Sequence, residues 1–261
     1  MGVINVTPDS FSDGGAALDP AHALDIALAM EGSGAGLIDI GAESTRPGAQ
    51  AVGVDDEIAR VLPVLRALAS KIHIPISIDT YKADVAAQAI DEGAAIVNDI
   101  SGLQYDPALG PLVAGRGVPV ILMHTRGRPS DMYAHAEYGD VVADVSSDLQ
   151  GCIDRALECG IARERILVDP GLGFAKRAEQ SFAALAGIDR LAELGFPLVV
   201  GPSRKSFMTS ATGALDAAAR DWPTAAAVTA AVLGGAHVVR VHRVAEMVQV
   251  VRVADAIRNA P

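Results

Sequence analysis

Four sets of polar residues in this sequence could do chemistry, and each follows a short apolar run. Arg240-Val241-His242 closes the run that begins at Val238. Alternation along an extended strand aims Arg240 and His242 to one side. The helical pattern behind them offers free backbone N–H groups and the positive end of a dipole. Guanidinium, imidazole and helix terminus together suit an anion, most naturally phosphate. Ser203-Arg204-Lys205-Ser206 sets two cations and two hydroxyls in a row, which suits an anionic or carbonyl-bearing ligand. It is not a P-loop, because that motif needs glycine where Arg204 stands. Asp169-Pro170-Gly171-Leu172-Gly173-Phe174 turns sharply, and its glycines let backbone approach a ligand. Asp79, Asn98 and Asp169 are acceptors or amides at the ends of three apolar runs. Buried acceptors need donors, and a heterocycle with amide-like and guanidine-like edges would supply them.

Two more polar loops follow the first two apolar runs. Thr7-Pro8-Asp9-Ser10-Phe11-Ser12-Asp13-Gly14-Gly15 ends in a diglycine, so it reads as a lid. Glu43-Ser44-Thr45-Arg46-Pro47-Gly48 is the second. The sequence contains no HExxH, no Cys/His cluster, no paired-carboxylate motif and no GxSxG elbow. Any metal is therefore expected as Mg²⁺ carried with phosphate.

Something must hold these loops together in space. The apolar runs are Gly2–Val6, Leu37–Ile40, Ile76–Asp79, Ile96–Ile100, Val118–Met123, Ile166–Asp169, Leu198–Gly201 and Val238–His242. They are rich in Val and Ile and almost continuously apolar, as parallel strands buried on both faces are. Helical patterns separate them: Pro20–Met30 behind an Asp19-Pro20 start, Val54–Ala69, Lys82–Glu92, Pro107–Ala114, Asp140–Glu158, Glu179–Leu194, Asp221–Leu233 and Ala245–Ile257. Ile58, Val61, Leu62 and Leu65 share one face of the second. Eight strands alternating with eight helices predict an α/β fold, a (β/α)₈ TIM barrel over residues 1–261 as one domain. An open doubly wound sheet is the alternative. In a barrel the chemistry sits at the C-terminal ends of the strands, where all of these polar residues fall.

Composition narrows the function classes. The 261 residues are 50% hydrophobic and 20% charged, which argues against disorder. A net charge of −11 opposes a diffuse nucleic-acid or anionic-membrane surface. The longest apolar stretch, Ala225–Val239, is interrupted by His237 and falls short of the ~20 residues of a membrane span. No basic segment precedes an apolar run at the N-terminus, so no signal peptide is expected. Cys152 and Cys159 are seven positions apart, ~10 Å along a helix, beyond disulfide reach. Together these features predict a cytoplasmic protein.

The residues also add up to a family. Met1–Gly15, carrying Asn5-Val6-Thr7-Pro8-Asp9-Ser10-Phe11-Ser12-Asp13, closely resembles the opening signature of dihydropteroate synthases. Glu43–Gly48 resembles their second-loop motif. Further matches follow in order: Ser77–Thr80, Val97–Gly102, Leu122–His124, Asp169–Phe174, Ser203–Ser206 and Arg240–His242. The resemblance covers essentially the whole chain and implies a transferase of folate biosynthesis on a (β/α)₈ barrel. Such an enzyme joins para-aminobenzoate to hydroxymethyl-dihydropterin pyrophosphate by an SN1-like route, is a sulfonamide target and forms a homodimer. Carried over by motif, Asp79, Asn98, Ile100, Met123, Asp169, Gly201 and Lys205 would hold the pterin. Asn5, Arg240 and His242 would hold pyrophosphate, with Asn5 on Mg²⁺. Thr45, Arg46, Pro47, Phe174, Lys205 and Ser206 would form the para-aminobenzoate side. Asp169, Lys205, Arg240 and His242 would carry the catalytic step. Arg243 stands where the family usually has an acidic residue, and Leu172 and Ala175 vary the sixth motif. The competing readings are a non-catalytic pterin-binding paralogue and a methyltetrahydrofolate–corrinoid methyltransferase.

Overall fold

The computed structural model describes residues 1–7, 19–46 and 48–261. Residues 8–15 of the expected lid and Pro47 therefore lie outside the described residues. Six strands pair in chain order in one parallel sheet: β1 (Gly2–Asn5), β2 (Ile38–Gly41), β3 (Ile76–Asp79), β4 (Ile96–Asp99), β5 (Val120–Met123) and β6 (Ile166–Asp169). β7 (Val199–Val200) pairs with β8 (Val238–Val239), also in parallel. Two single bridges join these sheets: Val168 with Leu198, and Gly2 with Val241. At the second seam Val3 N–H donates to Val241 O at 3.1 Å, and Val241 N–H to Met1 O at 2.9 Å. Each strand thus neighbours the next and the last neighbours the first. That is a closed (β/α)₈ barrel; an open doubly wound sheet reverses its order at a switch point.

The strands form where they do because both faces are covered. Ile38, Ile40, Ile78, Val97, Leu122 and Val168 are fully buried. The surrounding helices are α1 (Pro20–Gly32), α2 (Val54–Ala69), α3 (Ala83–Asp91), α4 (Leu109–Arg116), α5 (Val141–Glu158), α6 (Ala178–Ala186), α7 (Ile188–Ala192), α8 (Thr209–Thr212), α9 (Asp221–Gly234) and α10 (Val244–Arg258). Helix α2 buries Val61, Leu62 and Leu65 as its spacing predicts, while Ile58 is only half-buried. Asp140 caps α5, accepting from Val142 N at 2.9 Å and Ala143 N at 3.1 Å.

Four expectations differ. Asp19 makes no side-chain cap bond, so Pro20 alone opens α1. The helix expected over 179–194 is broken into α6 and α7 at Gly187. There a Cβ would sit 2.5 Å from Val142 of α5, so the close approach of two helices requires glycine. The fourth helix starts two residues late and runs to Gly117, whose left-handed φ of 63° ends it. Short 3₁₀ turns and α8 between β7 and α9 carried no periodic signal. Cys152 and Cys159 are both free, as expected.

Candidate active site at the barrel mouth

The C-terminal ends of the strands converge on Arg240. Its Nε donates to Asp39 Oδ2 at 2.6 Å and one terminal nitrogen to Asp79 Oδ2 at 2.8 Å. Asp39 also accepts from Ser77 Oγ at 2.6 Å and Asn98 Nδ2 at 3.1 Å. Asp39 is fully buried in β2. Burial works against the Arg240 charge, yet Asp39 and Asp79 outweigh it and raise its pKa. Burial raises that of Asp79, against the pull of Arg240. The guanidinium expected to meet an anion is thus already paired with two carboxylates. Arg240 reaches across the mouth to two carboxylates because strands β2, β3 and β8 end at one level.

His242 sits beside the loop after β7. Ser203 Oγ accepts its backbone N–H at 3.2 Å and lies 2.8 Å from Nδ1. The hydroxyl proton then belongs on the Nδ1 contact, which leaves Nε2–H as the free donor. Burial first, then the Arg240 charge, lowers its pKa to about 4. The imidazole is therefore a neutral N–H donor at pH 7.

The Ser203–Ser206 cluster is divided. Arg204 turns away at a φ of 59° and pairs with Asp221 at 2.8 and 3.0 Å. Only Lys205 faces the mouth, so two adjacent cations do not share one ligand. Its Nζ donates to Leu172 O and lies 4.5 Å from the centre of the Phe174 ring. Burial lowers its pKa to about 8, with Asp169 opposing. Asp169 is buried and accepts from Gly171 N at 2.7 Å. Burial raises its carboxyl, and the Lys205 charge holds it down. Gly201 lies between them: a Cβ there would be 3.7 Å from Arg240 and 3.9 Å from Asp169.

An apolar wall faces this polar floor. Ile100 and Met123 pack with Tyr81, and Phe174 and Tyr105 close against them. Tyr81 and Tyr105 meet edge to face at 5.2 Å. Thr45 is half-buried, and Arg46 and Ser206 are exposed. Arg46 lies near enough to His242 for its charge to help lower that pKa. Asn5 is half-buried at the end of β1. Arg243 pairs with Glu246 on the outside of α10, its Nε at 3.0 Å, so its charge faces solvent.

Sequence reasoning missed several residues that build this site. Asp39 is one, and its signal was a carboxylate inside an otherwise apolar strand. Glu43, Tyr81, Lys82 and Glu57 form another group. Lys82 Nζ donates to both glutamates, and Tyr81 OH donates to Glu43 at 2.9 Å. They anchor the root of the second loop to β3. Glu57 carried no signal, since a helix-face glutamate ordinarily points to water. The third group surrounds Lys176, which is almost fully buried behind the sixth-strand loop.

The arrangement is a polar cluster with an apolar and aromatic side wall at the mouth of a parallel barrel. A pterin binding enzyme family model matches residues 1–242. The chain is 46% identical over 257 residues to the dihydropteroate synthase of Synechocystis sp., covering 98% of this chain and 89% of that protein. It is 42% identical over 260 residues to the Escherichia coli enzyme, covering 100% and 92%. Yersinia pestis dihydropteroate synthase with a sulfonamide drug superposes at a TM-score of 0.94, with 40% identity, over 99% of this chain and 94% of that one. The Xanthomonas albilineans enzyme in complex with 7,8-dihydropteroate superposes at 0.89, with 38% identity, over 100% and 93%. The chain belongs to the pterin-binding enzyme family, and the relatives named here are its dihydropteroate synthases.

Ala175 is buried at a φ of 46°, a region that disfavours any Cβ. Ala175→Gly is expected to raise unfolding free energy by about 1 kcal/mol. Urea titration followed by circular dichroism reads this as a higher midpoint at unchanged slope.

Proposed function

We propose that this protein is a dihydropteroate synthase. It joins the methylene carbon of hydroxymethyl-dihydropterin pyrophosphate to the amine of para-aminobenzoate and releases pyrophosphate. The observation that carries the reading is the cluster of Asp39, Asp79, Asn98, Asp169, Lys205 and Arg240 at one mouth. It supplies acceptors for a guanidine-like edge and donors for a carbonyl-bearing edge of one flat heterocycle. An apolar wall of Ile100, Met123 and Phe174 runs alongside.

The residue roles follow from position. Asp79, Asn98 and Asp169 would meet the pterin edge, with Lys205 and the bare backbone of Gly201 beside them. Arg240 and the neutral Nε2–H of His242 would take the pyrophosphate, whose charge pulls the His242 pKa upward on binding. The carbon–oxygen bond breaks first, and both its electrons leave on pyrophosphate. Asp169, buried and beside the ring, stabilises the cation that remains. The amine lone pair then forms the carbon–nitrogen bond, and the amine proton goes to solvent. Thr45, Arg46, Pro47, Phe174, Lys205 and Ser206 would seat the aminobenzoate. Enclosure by the first two loops would keep water from the cation.

Asn5 offers one amide oxygen, and no group of three His, Cys, Asp or Glu is placed for a metal among the described residues. That donor set fits Mg²⁺ brought in by pyrophosphate, which would keep most ligands as phosphate and water. The ion would add charge neutralisation on the leaving group. A homodimer is supported by exposed apolar side chains on α9 and α10: Trp222 at 86%, Val253 at 61% and Ile257 at 58%. Light scattering of the eluting peak should give twice the chain mass. Cytoplasmic placement is supported by the two free cysteines. No helix among the described residues is long and apolar enough to cross a membrane. The rival non-catalytic reading rested on Arg243, and the outward pairing of that residue with Glu246 removes its support.

The reading is tested by mass detection of dihydropteroate and by pyrophosphate release, with each substrate and Mg²⁺ omitted in turn. Product is expected only with both substrates; pterin binding without product refutes catalysis. Asp169→Asn should keep the fold and lose turnover by about 10²-fold or more, and turnover at the unmodified rate would refute its electrostatic role. Lys205 carries its charge below about pH 8 and loses it above. The KM for para-aminobenzoate, a carboxylate, should therefore rise as pH passes about 8. Lys205→Arg should flatten that rise.

A further inference from the structure

Lys176 is the largest side chain among those with almost no exposure, and no step above uses it. Its Nζ has three partners: His124 Nδ1 at 2.7 Å, Gly171 O at 3.2 Å and Phe174 O at 3.2 Å. The other nitrogen of His124, Nε2, lies 3.0 Å from Asp148 Oδ2. Arg126 Nε donates to that same oxygen at 2.8 Å. An ionised carboxylate only accepts, so Nε2 carries a proton. Burial and then the Lys176 charge lower His124 to about 4, which leaves its ring neutral and Nδ1 a bare acceptor. Two carbonyls and a bare ring nitrogen all require donors. A neutral amine has two protons to give; an ammonium has three. Burial and the Lys205 charge pull the Lys176 pKa down; the charged form donates to all three partners at once, whereas the neutral amine donates to two.

The two carbonyls bracket the loop that leaves β6. Gly171 O also accepts Phe174 N at 3.0 Å, closing a tight turn. Gly171 itself is pressed against the loop that follows the preceding strand, β5, since a Cβ there would fall 2.0 Å from His124 O. Between them, Leu172 O takes the Lys205 ammonium, and the Phe174 ring lies under it. Tyr138 OH holds the following carbonyl, Ala175 O, at 2.9 Å.

We propose that Lys176 is a positioning residue for the aminobenzoate half of the site: its ammonium, tied through His124 to Asp148, fixes the Gly171–Phe174 turn and so sets where Phe174 and Lys205 stand. The inference rests on the function proposed above and concerns one half of that site. Asp39, Asp79, Asn98 and Arg240 do not touch this chain of bonds; the pterin side meets it through Asp169, which accepts from Gly171 N at 2.7 Å, and through the shared Lys205. Losing the ammonium should therefore loosen para-aminobenzoate much more than the pterin.

The test is steady-state kinetics on Lys176→Met, which keeps the length and removes all three donors. The KM for para-aminobenzoate should rise about tenfold or more, while the KM for the pterin pyrophosphate stays within about twofold. A loss confined to the folded fraction, with both KM values unchanged, overturns the proposal, as does an equal rise in both. Should that variant not fold, two further readouts decide. Asp148→Asn, at a half-exposed position, should shift the same KM in the same direction by about threefold; no shift counts against it. Nitrogen-15 spectra of the unmodified enzyme at pH 7 should show His124 neutral, protonated at Nε2 and bare at Nδ1. Protonation at Nδ1 overturns the ammonium. An unmodified enzyme that makes no dihydropteroate refutes the functional reading itself, which is a different result from an active enzyme whose variants show no split.

Discussion

The guanidinium of Arg240 lies where the mouth of the barrel would otherwise hold two uncompensated carboxylates. Asp39 is fully buried and Asp79 half-buried, on adjacent strands, and both meet Arg240. Leaving either charge without a partner costs several kcal/mol, of order 3–5 when one member of a buried pair is removed. One cation on β8 answers both, and Asn98 and Ser77 fill the remaining lone pairs of Asp39. The contact joins the last strand to the second and third, so the same bonds that brace the barrel seam arrange the floor of the site.

Around that centre the charges are arranged asymmetrically. Asp39, Asp79 and Asp169 face Arg240 and Lys205, three carboxylates against two cations. Burial raises Asp79 and Asp169 and lowers Lys205, and each is held near its working form by its neighbours. Under the proposed function, carboxylates this close to a bound ring would favour a cation forming on it over the neutral ring that precedes it. Farther out, His242 and the rim loops lie on the side from which an anion departs.

Two structural groups outside the substrate-facing residues hold the loops to this floor. Glu43, Glu57 and Lys82 fix the root of the second loop, and Lys176 with His124 and Asp148 fixes the sixth-strand loop. Both place a buried lysine among acceptors. A buried ammonium held by two or three acceptors is a rigid joint, because any shift leaves a charge unpaired in a low-dielectric interior. Loops that must present side chains within a fraction of an ångström are well served by such joints.

Much of this was legible in the chain. Eight Val- and Ile-rich runs separated by helical periodicity determine a parallel α/β sheet, because strands covered on both faces must be apolar throughout, and the bridges at its two seams close it into a barrel. Polar residues at the ends of those runs mark the mouth, and Asp79, Asn98, Asp169, Lys205, Arg240 and His242 were identified there from residue type and position. What only the tertiary structure decided was partnership. Arg204 and Lys205 are adjacent in sequence, yet one turns to Asp221 and the other to the mouth. Asp39, Glu57 and Lys176 sit in strand, helix and loop patterns that look ordinary, and their significance arises from residues 25 to 201 positions away. Periodicity reports whether a side chain faces the core. It carries no record of which distant charge meets it there, because that depends on how strands are staggered when the ring closes.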